Sequence, residues 1–353
     1  MKKALSIMFA LLLLFLLPAC GGEEEDDDWG NDSDGDGGSS KENAWEIEND
    51  LTVNAMTIGF DGTIYLAGGT KKNSNSYNAF LIVLSREGKK LWEKQWGVKD
   101  TDTFILDVVV DTQNNIYVGG RGDNNGYIIK LDSGGNKLWE VFPEDAKRIE
   151  HIALDKVGNI YLALESYNSN ILKYSYDGKE VWKYDFANSG IRVNDLFVDS
   201  KETVYVGGYT ERALFSDKIG SEDAFLAKID TAGAQLVWGK QWGETRMSVT
   251  KIIYEDNFIY VTGIPGFLKK FSEDGEEIYQ KDEVSIFIAI DSEQNFLVLK
   301  KGLIEKYNSN WEKIGTANID QDISVIDVKC DNDNNFYILA EKKLIKVSAS
   351  DIK

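Results

Sequence analysis

Residues 90–97 read KLWEKQWG, and residues 236–243 read LVWGKQWG. Trp92 and Trp238 therefore stand 146 positions apart, far beyond the usual length of one repeat unit. The octamers are the best-kept pair in a longer series. Around them runs a shared phrase: DGTIYLAGGT then NAFLIVLSREGKKLWEKQWG in one copy, KETVYVGGYT then DAFLAKIDTAGAQLVWGKQWG in the other. Weaker copies lie between and after them, such as NNIYVGGRG with GYIIKLDSGGNKLWEVF. Each copy is a β-branched, aromatic run, a turn, a second short run, a polar or Gly-rich turn, and an aromatic-bearing run. Counting the apolar run that precedes it, such as ILDVVVD, the unit is four short strands.

Second-strand anchors fall at Tyr65, Tyr117, Tyr161, Tyr205, Tyr260, Leu297 and Tyr337, seven in all. Fourth-strand aromatics are read at Trp92, Trp139, Trp182, Trp238, Tyr279 and Trp311, one fewer. The missing one is expected at the other end of the chain. NAWEIEN places Trp45 20 residues before Tyr65, while Lys353 follows directly on a third strand. A repeat array that completes its last sheet from the opposite terminus is a closed ring, and it needs no capping repeat. The expected fold class is all-β: a seven-bladed β-propeller of four-stranded antiparallel blades over residues 43–353, closed by an N-terminal strand completing the last blade. The tryptophans should fill the gaps between blades, which widen with radius.

The phrase D-x-x-x-N-x-Y-V-x-G, then D-A-F-L-x-K-x-D-x-x-G, then Trp, resembles the SBBP-type seven-bladed β-propeller repeat of bacterial secreted proteins and lipoproteins. Units one, two and four carry it best; units five to seven lose the tryptophan or shorten their turns. The strand grammar is also similar to quinoprotein-type repeats, including propeller lipoproteins of outer-membrane assembly, which usually have eight blades. Both resemblances imply binding or scaffolding, and fold alone does not assign function.

The chain opens MKKALSIMFALLLLFLLPAC. Two lysines precede an apolar run too short to span a bilayer, so residues 1–19 are expected to be a secretory signal peptide. Leu17-Pro18-Ala19-Cys20 resembles the bacterial lipobox, which implies a lipoprotein lipidated at Cys20. The expected location is the outer membrane, facing the cell surface or the periplasm. Between Glu23 and Glu42 stand ten acids and one lysine, so residues 20–42 read as a disordered acidic tether. Acids directly behind a lipidated cysteine also resemble the surface-export signal of some Gram-negative lipoproteins. The formal net charge of −20 leaves no basic stripe for nucleic acid or for anionic lipid. Membrane attachment is therefore assigned to the lipid on Cys20, and the body is expected to be a monomer. Cys330 is then the one remaining thiol, expected to fill a small core position.

No Walker loop, G-x-S-x-G or H-E-x-x-H occurs, and His151 is the one histidine. Aligning the first strands on Asp111, Asp155, Asp199 and Asp331 places Asp107, His151, Asp195 and Asp327 four residues earlier. These four are candidates for the mouth of the central channel. One reading offers them to a cation, with a hydrolase or lyase as its extension. The favoured reading has each hold a backbone group or keep adjacent blades in register, because gathering like charges is costly. No cofactor is expected. Calcium is the nearest candidate, at Asp32-x-Asp34-x-Asp36-Gly37, which has Asn43 at position twelve, or at Asp331-x-Asp333-x-Asn335. The terminal aspartates and Asn-rich turns fit hairpin chemistry better.

Length is the remaining signal. The links TKKNSNSYNAF and YTERALFSDKIGSEDAF are long where those of units five to seven are nearly absent. Long polar loops on a rigid scaffold are where recognition concentrates. Tyr77, Arg212, Phe215, Asp217 and Lys218 are the candidate ligand-binding residues. The expected function is non-enzymatic binding of a protein or glycan through this face, with an envelope assembly scaffold as the alternative.

Overall fold

The computed structural model describes residues 43–353 apart from 74–75, 98–100, 124, 167–170, 187–189, 231, 233 and 283–286. The expected signal peptide, the lipidated Cys20, the tether and the Asp32 motif lie outside the described residues. Seven sheets form, each of four antiparallel strands, sequential in six of them. Blades 1 to 6 occupy residues 51–96, 103–141, 146–184, 191–242, 248–282 and 288–318. Blade 7 takes residues 325–347 for three strands and Asn43–Glu46 for its outermost. First strands neighbour one another around the axis, which makes them the channel wall. The all-β, seven-bladed, N-terminally closed architecture is thus the one the repeat predicts.

The seam is well built. Trp45 pairs with Leu344 and Asn43 with Lys346, and the Ile47 amide donates to the Lys342 carbonyl at 2.9 Å. Buried Trp45 lies against Gly88 in the third-to-fourth-strand turn of blade 1. That glycine has φ +83°, and a Cβ on it would come within 2.0 Å of the indole. Trp92, Trp139 and Trp238 lie in the same way against Gly135, Gly178 and Gly275 of the blade that follows each. The inter-blade packing of these tryptophans is as expected.

Two register details differ from the sequence reading. Trp92 lies opposite Val83, which lies opposite the anchor Tyr65; in blade 7 the residue so placed against Tyr337 is Asn43. Trp45 therefore reaches its glycine from two positions further along. Trp311 is not in a fourth strand at all. It occupies the turn position that Gly88 holds in blade 1, at φ +62°, stacked on Phe296 at 4.8 Å. The fourth strand of blade 6 is Lys313–Asn318, with Gly315 opposite Lys306. Blade 7 has no third-to-fourth turn to shelve a tryptophan, because its fourth strand comes from the other end of the chain. The C-terminal residues fill that place: Lys353 exchanges backbone hydrogen bonds of 2.7 and 3.1 Å with Thr316, and the backbone of Ile352 passes over Gly315.

The D-x-x-x-N-x-Y phrase is a closed hydrogen-bond unit. Asp111, Asp155 and Asp331 each accept at one oxygen from the backbone amides two and four residues on. The other oxygen accepts from the Asn115, Asn159 or Asn335 side chain and from the Tyr117, Tyr161 or Tyr337 hydroxyl. Four donors saturate one carboxylate. At Asp331 this leaves no oxygen for the calcium reading. Among the described residues no group of three or more His, Cys, Asp or Glu is placed to hold a metal ion. Blade 6 has Leu297 where the tyrosine would stand, and there Lys306 Nζ takes the vacant place, 2.8 Å from Asp291 Oδ2. Cys330 ends the first strand of blade 7 against the core shared with blade 6. Burial, with the charges of Asp291 and Asp331, pushes its thiol up to about 12.

Candidate functional site

Links between second and third strands share one face of the ring with the connections between blades, so both long links were expected there. Blade 1 departs from that expectation. Its link is mostly strand: Ile64–Asn73 and Ser76–Leu84 pair to the tip, Lys71 with Tyr77 and Asn73 with Ser76. Tyr77 is half-buried, 4.9 Å from the Phe104 ring, and its amide donates to Asp102 Oδ1 at 3.2 Å. It packs onto blade 2 and is not a free recognition residue.

Blade 4 does carry a loop, residues 211–222, and one buried carboxylate latches it. Asp223 Oδ2 accepts from the Ile219 amide at 2.9 Å and from Gln241 Nε2 at 2.8 Å, and Oδ1 accepts from the Gly220 amide at 2.7 Å. Burial alone would raise this carboxyl, but the three donors outweigh it and hold it below the ordinary carboxylate range. Gln241, from the second octamer, also receives the amides of Leu214 and Phe215 at its Oε1, at 2.7 and 3.0 Å. Phe215 turns inward beside Gly239, with ring centroids 6.2 Å from Phe186 and 6.3 Å from Phe225. That corrects the sequence reading: Phe215 is the anchor of the loop, not a contact for a ligand. Arg212, Asp217 and Lys218 are exposed, and so is Ile219 at 63 %. Sequence reasoning missed Asp223 and Gln241. The signal was present in Asp223, an acid at the start of a third strand otherwise apolar as far as Ala227.

In the channel, first strands of six blades carry a β-bulge, and Asp107, His151, Asp195 and Asp327 each follow one. The bulge frees an amide and turns the next side chain inward. Asp107 Oδ2 accepts from the Ile152 amide of blade 3 at 2.7 Å, and Asp195 Oδ2 from the Ile252 amide of blade 5 at 2.7 Å. These two carboxylates thus tie blade 2 to blade 3 and blade 4 to blade 5. Asp327 accepts from the adjacent Val328 amide. They sit mid-strand, so the residues line the channel rather than its mouth. Sequence alignment on the terminal aspartates missed Lys251, which occupies the same place in blade 5, and Lys329. Lys251 Nζ lies 3.4 Å from Asp195, Lys329 Nζ 3.2 Å from Asp327, and His151 Nδ1 3.9 Å from Asp107. Burial raises the Asp107 carboxyl, opposed by His151 and the Ile152 amide, while the charge of Asp195 raises the Lys251 ammonium. Each of the three acids thus has a basic side chain beside it, which suits cohesion between blades better than capture of a cation.

No protein-family model matches the chain, and no curated protein matches it. Solved structures do. A streptogramin B lyase structure aligns with a TM-score of 0.65 at 15 % identity, covering 86 % of this chain and 97 % of that one. A catalytically inactive variant of virginiamycin B lyase from Staphylococcus aureus with quinupristin gives 0.65 at 13 %, covering 87 % and 99 %. BamB from Moraxella catarrhalis gives 0.54 at 15 %, covering 86 % and 84 %. At such identities the likeness is one of fold, and the fold shared is a β-propeller.

Proposed function

We propose that this protein is a lipid-anchored module of the bacterial cell envelope that binds a partner protein through the blade 4 loop and performs no catalysis. The observation that carries the reading is the Asp223 latch. Blades 5 to 7 join the same two strands with tight turns, so the fold does not need residues 211–222. A fully buried carboxylate, two backbone amides and a glutamine nevertheless fix that segment in one conformation. A loop ordered before binding loses less entropy on docking. Its exposed side chains, Arg212, Asp217 and Lys218 around the apolar Ile219, fit a protein surface with an apolar centre and a charged rim. The acidic stretch behind Cys20 would hold the ring off the membrane.

The test is a pull-down from envelope extracts with the full chain and with the double variant Arg212→Ser, Ile219→Ser. Both side chains are exposed, so the thermal midpoint should not move. Loss of a specific partner supports the reading; an identical set of partners from both proteins would sink it. Protease shaving of intact cells, read by whether the whole protein is lost from the cells, separates surface display from a periplasmic orientation.

A further inference from the structure

The opposite face carries the first-to-second and third-to-fourth turns. These turns repeat around the ring, and what each position holds is informative. The first turn residue is Thr112 in blade 2, Lys156 in blade 3, Ser200 in blade 4, Ser292 in blade 6 and Asn332 in blade 7, all polar; in blade 1 it is Phe60. In the other turn the matching residue is Arg86, Ser133, Glu273 or Ser309, but in blade 3 it is Tyr176. Neither aromatic is demanded by its turn. Phe60 is 66 % exposed, Tyr176 61 % and the neighbouring Val157 59 %. All three border a single cleft of about 600 Å3 between blades 2 and 3. Its size lies inside the roughly 300–1,000 Å3 range of small-molecule sites.

Lys130 forms part of the wall of that cleft. Lysines recur at this third-strand position, each across from the second-strand anchor, and most have an acceptor. Lys173 faces Glu202 at 3.9 Å, Lys228 donates to the Glu273 carbonyl at 2.9 Å, Lys306 pairs with Asp291, and Lys346 donates to the Arg86 carbonyl at 3.3 Å. Lys130 is only 9 % exposed, and its ammonium lies 4.8 Å over the Tyr117 ring. Among the described residues it has no hydrogen-bond or ion-pair acceptor. An ammonium that faces an open cleft with no protein acceptor leaves its donors to water or to a ligand hydroxyl.

We propose that this cleft binds a neutral saccharide, with pyranose faces against Phe60 and Tyr176 and a hydroxyl accepting from Lys130. The charge balance selects the class. Asp111 and Asp155 line the same cleft, their oxygens saturated by their turns but their charges intact, and they offset Lys130 and Lys156. An anionic ligand therefore meets no net attraction. A neutral hydroxyl brings the lone pair that the ammonium lacks, and the same ligand supplies an apolar face for two exposed aromatic rings. Thr112 and Gln113 on the rim, both exposed, extend the polar side with a hydroxyl and an amide. The site is separate from the blade 4 loop, so either proposal can fail alone.

The probes are chitohexaose, cellohexaose and maltohexaose, titrated calorimetrically into the full chain in detergent, with oligogalacturonate as the charged control. At least one neutral probe should bind. Tyr176→Ala and Lys130→Met should each weaken it about tenfold, the loss of one contact of about 1.4 kcal/mol. Lys130 is buried, so exposed Tyr176 and Phe60→Ala keep the test decisive if Lys130→Met disturbs packing. Lack of binding by every neutral probe at about 10 mM, where affinities of only a few kcal/mol would still register, overturns the proposal. So does tighter binding of oligogalacturonate, or neutral binding that ignores Tyr176→Ala and Phe60→Ala.

Discussion

Single side chains do more here than their exposure suggests, and Asp223 is the sharpest case. Asp223→Ala would leave two loop amides and a glutamine without their acceptor, at a cost of about 2–3 kcal/mol. The expected readout is a lower thermal midpoint together with new protease cleavage inside 211–222. The pH dependence follows from the depressed carboxyl. Its stabilising contribution is complete above the unfolded value of about 3.9 and fades as pH falls through the lower folded value. The hydrogen-exchange protection factors of Ile219 and Gly220, taken relative to the intrinsic rate at each pH, should therefore be high at pH 5 and fall below about pH 4. Cys330, its thiol pushed up to about 12, should resist alkylation in the native protein and react once unfolded. At this scale the sequence was only partly legible. The D-x-x-x-N-x-Y unit could be read because all its partners lie within six residues. Asp223 and Phe215 could not, since their roles depend on Gln241 and Phe225 across the blade.

Among the elements, blade 6 shows how a degraded repeat keeps its sheet. It lacks the anchor tyrosine and the fourth-strand tryptophan, and Lys306 and the C-terminal Ile352 stand in for them. Lys306→Met should remove the cation from a carboxylate whose side chain is wholly buried, leaving it the Asn295 side chain and two backbone amides, and cost about 2 kcal/mol. Adding Leu297→Tyr should recover part of that, because a tyrosine there can donate to Asp291 as Tyr117 does to Asp111. Chemical denaturation of the single and double variants measures both effects. The strand pattern around Leu297 was readable from alternation alone, whereas Trp311 was misplaced. An aromatic three to five residues after a strand fits a turn or the next strand equally until the register is known. The bulges were invisible for the same reason: a one-residue slip leaves no mark on composition.

For the whole molecule, closure was the most legible property, since seven second-strand anchors left one sheet short of its outer strand, although the count of six outer aromatics included Trp311, which lies in a turn. Trp45→Ala should remove about 3 kcal/mol from the seam. Deleting residues 43–46 should in addition expose Lys343–Val347 as an unpaired edge. Light scattering should then show the shortened protein associating where the intact one does not. What closure could not reveal is how the two faces differ, because loop anchoring and turn aromatics follow no repeat. The seam also has a mechanical meaning. If the chain is tethered at its start, any tug on the tether is felt first by four residues of strand against the last blade. The join that completes the ring is then also the one that bears the load.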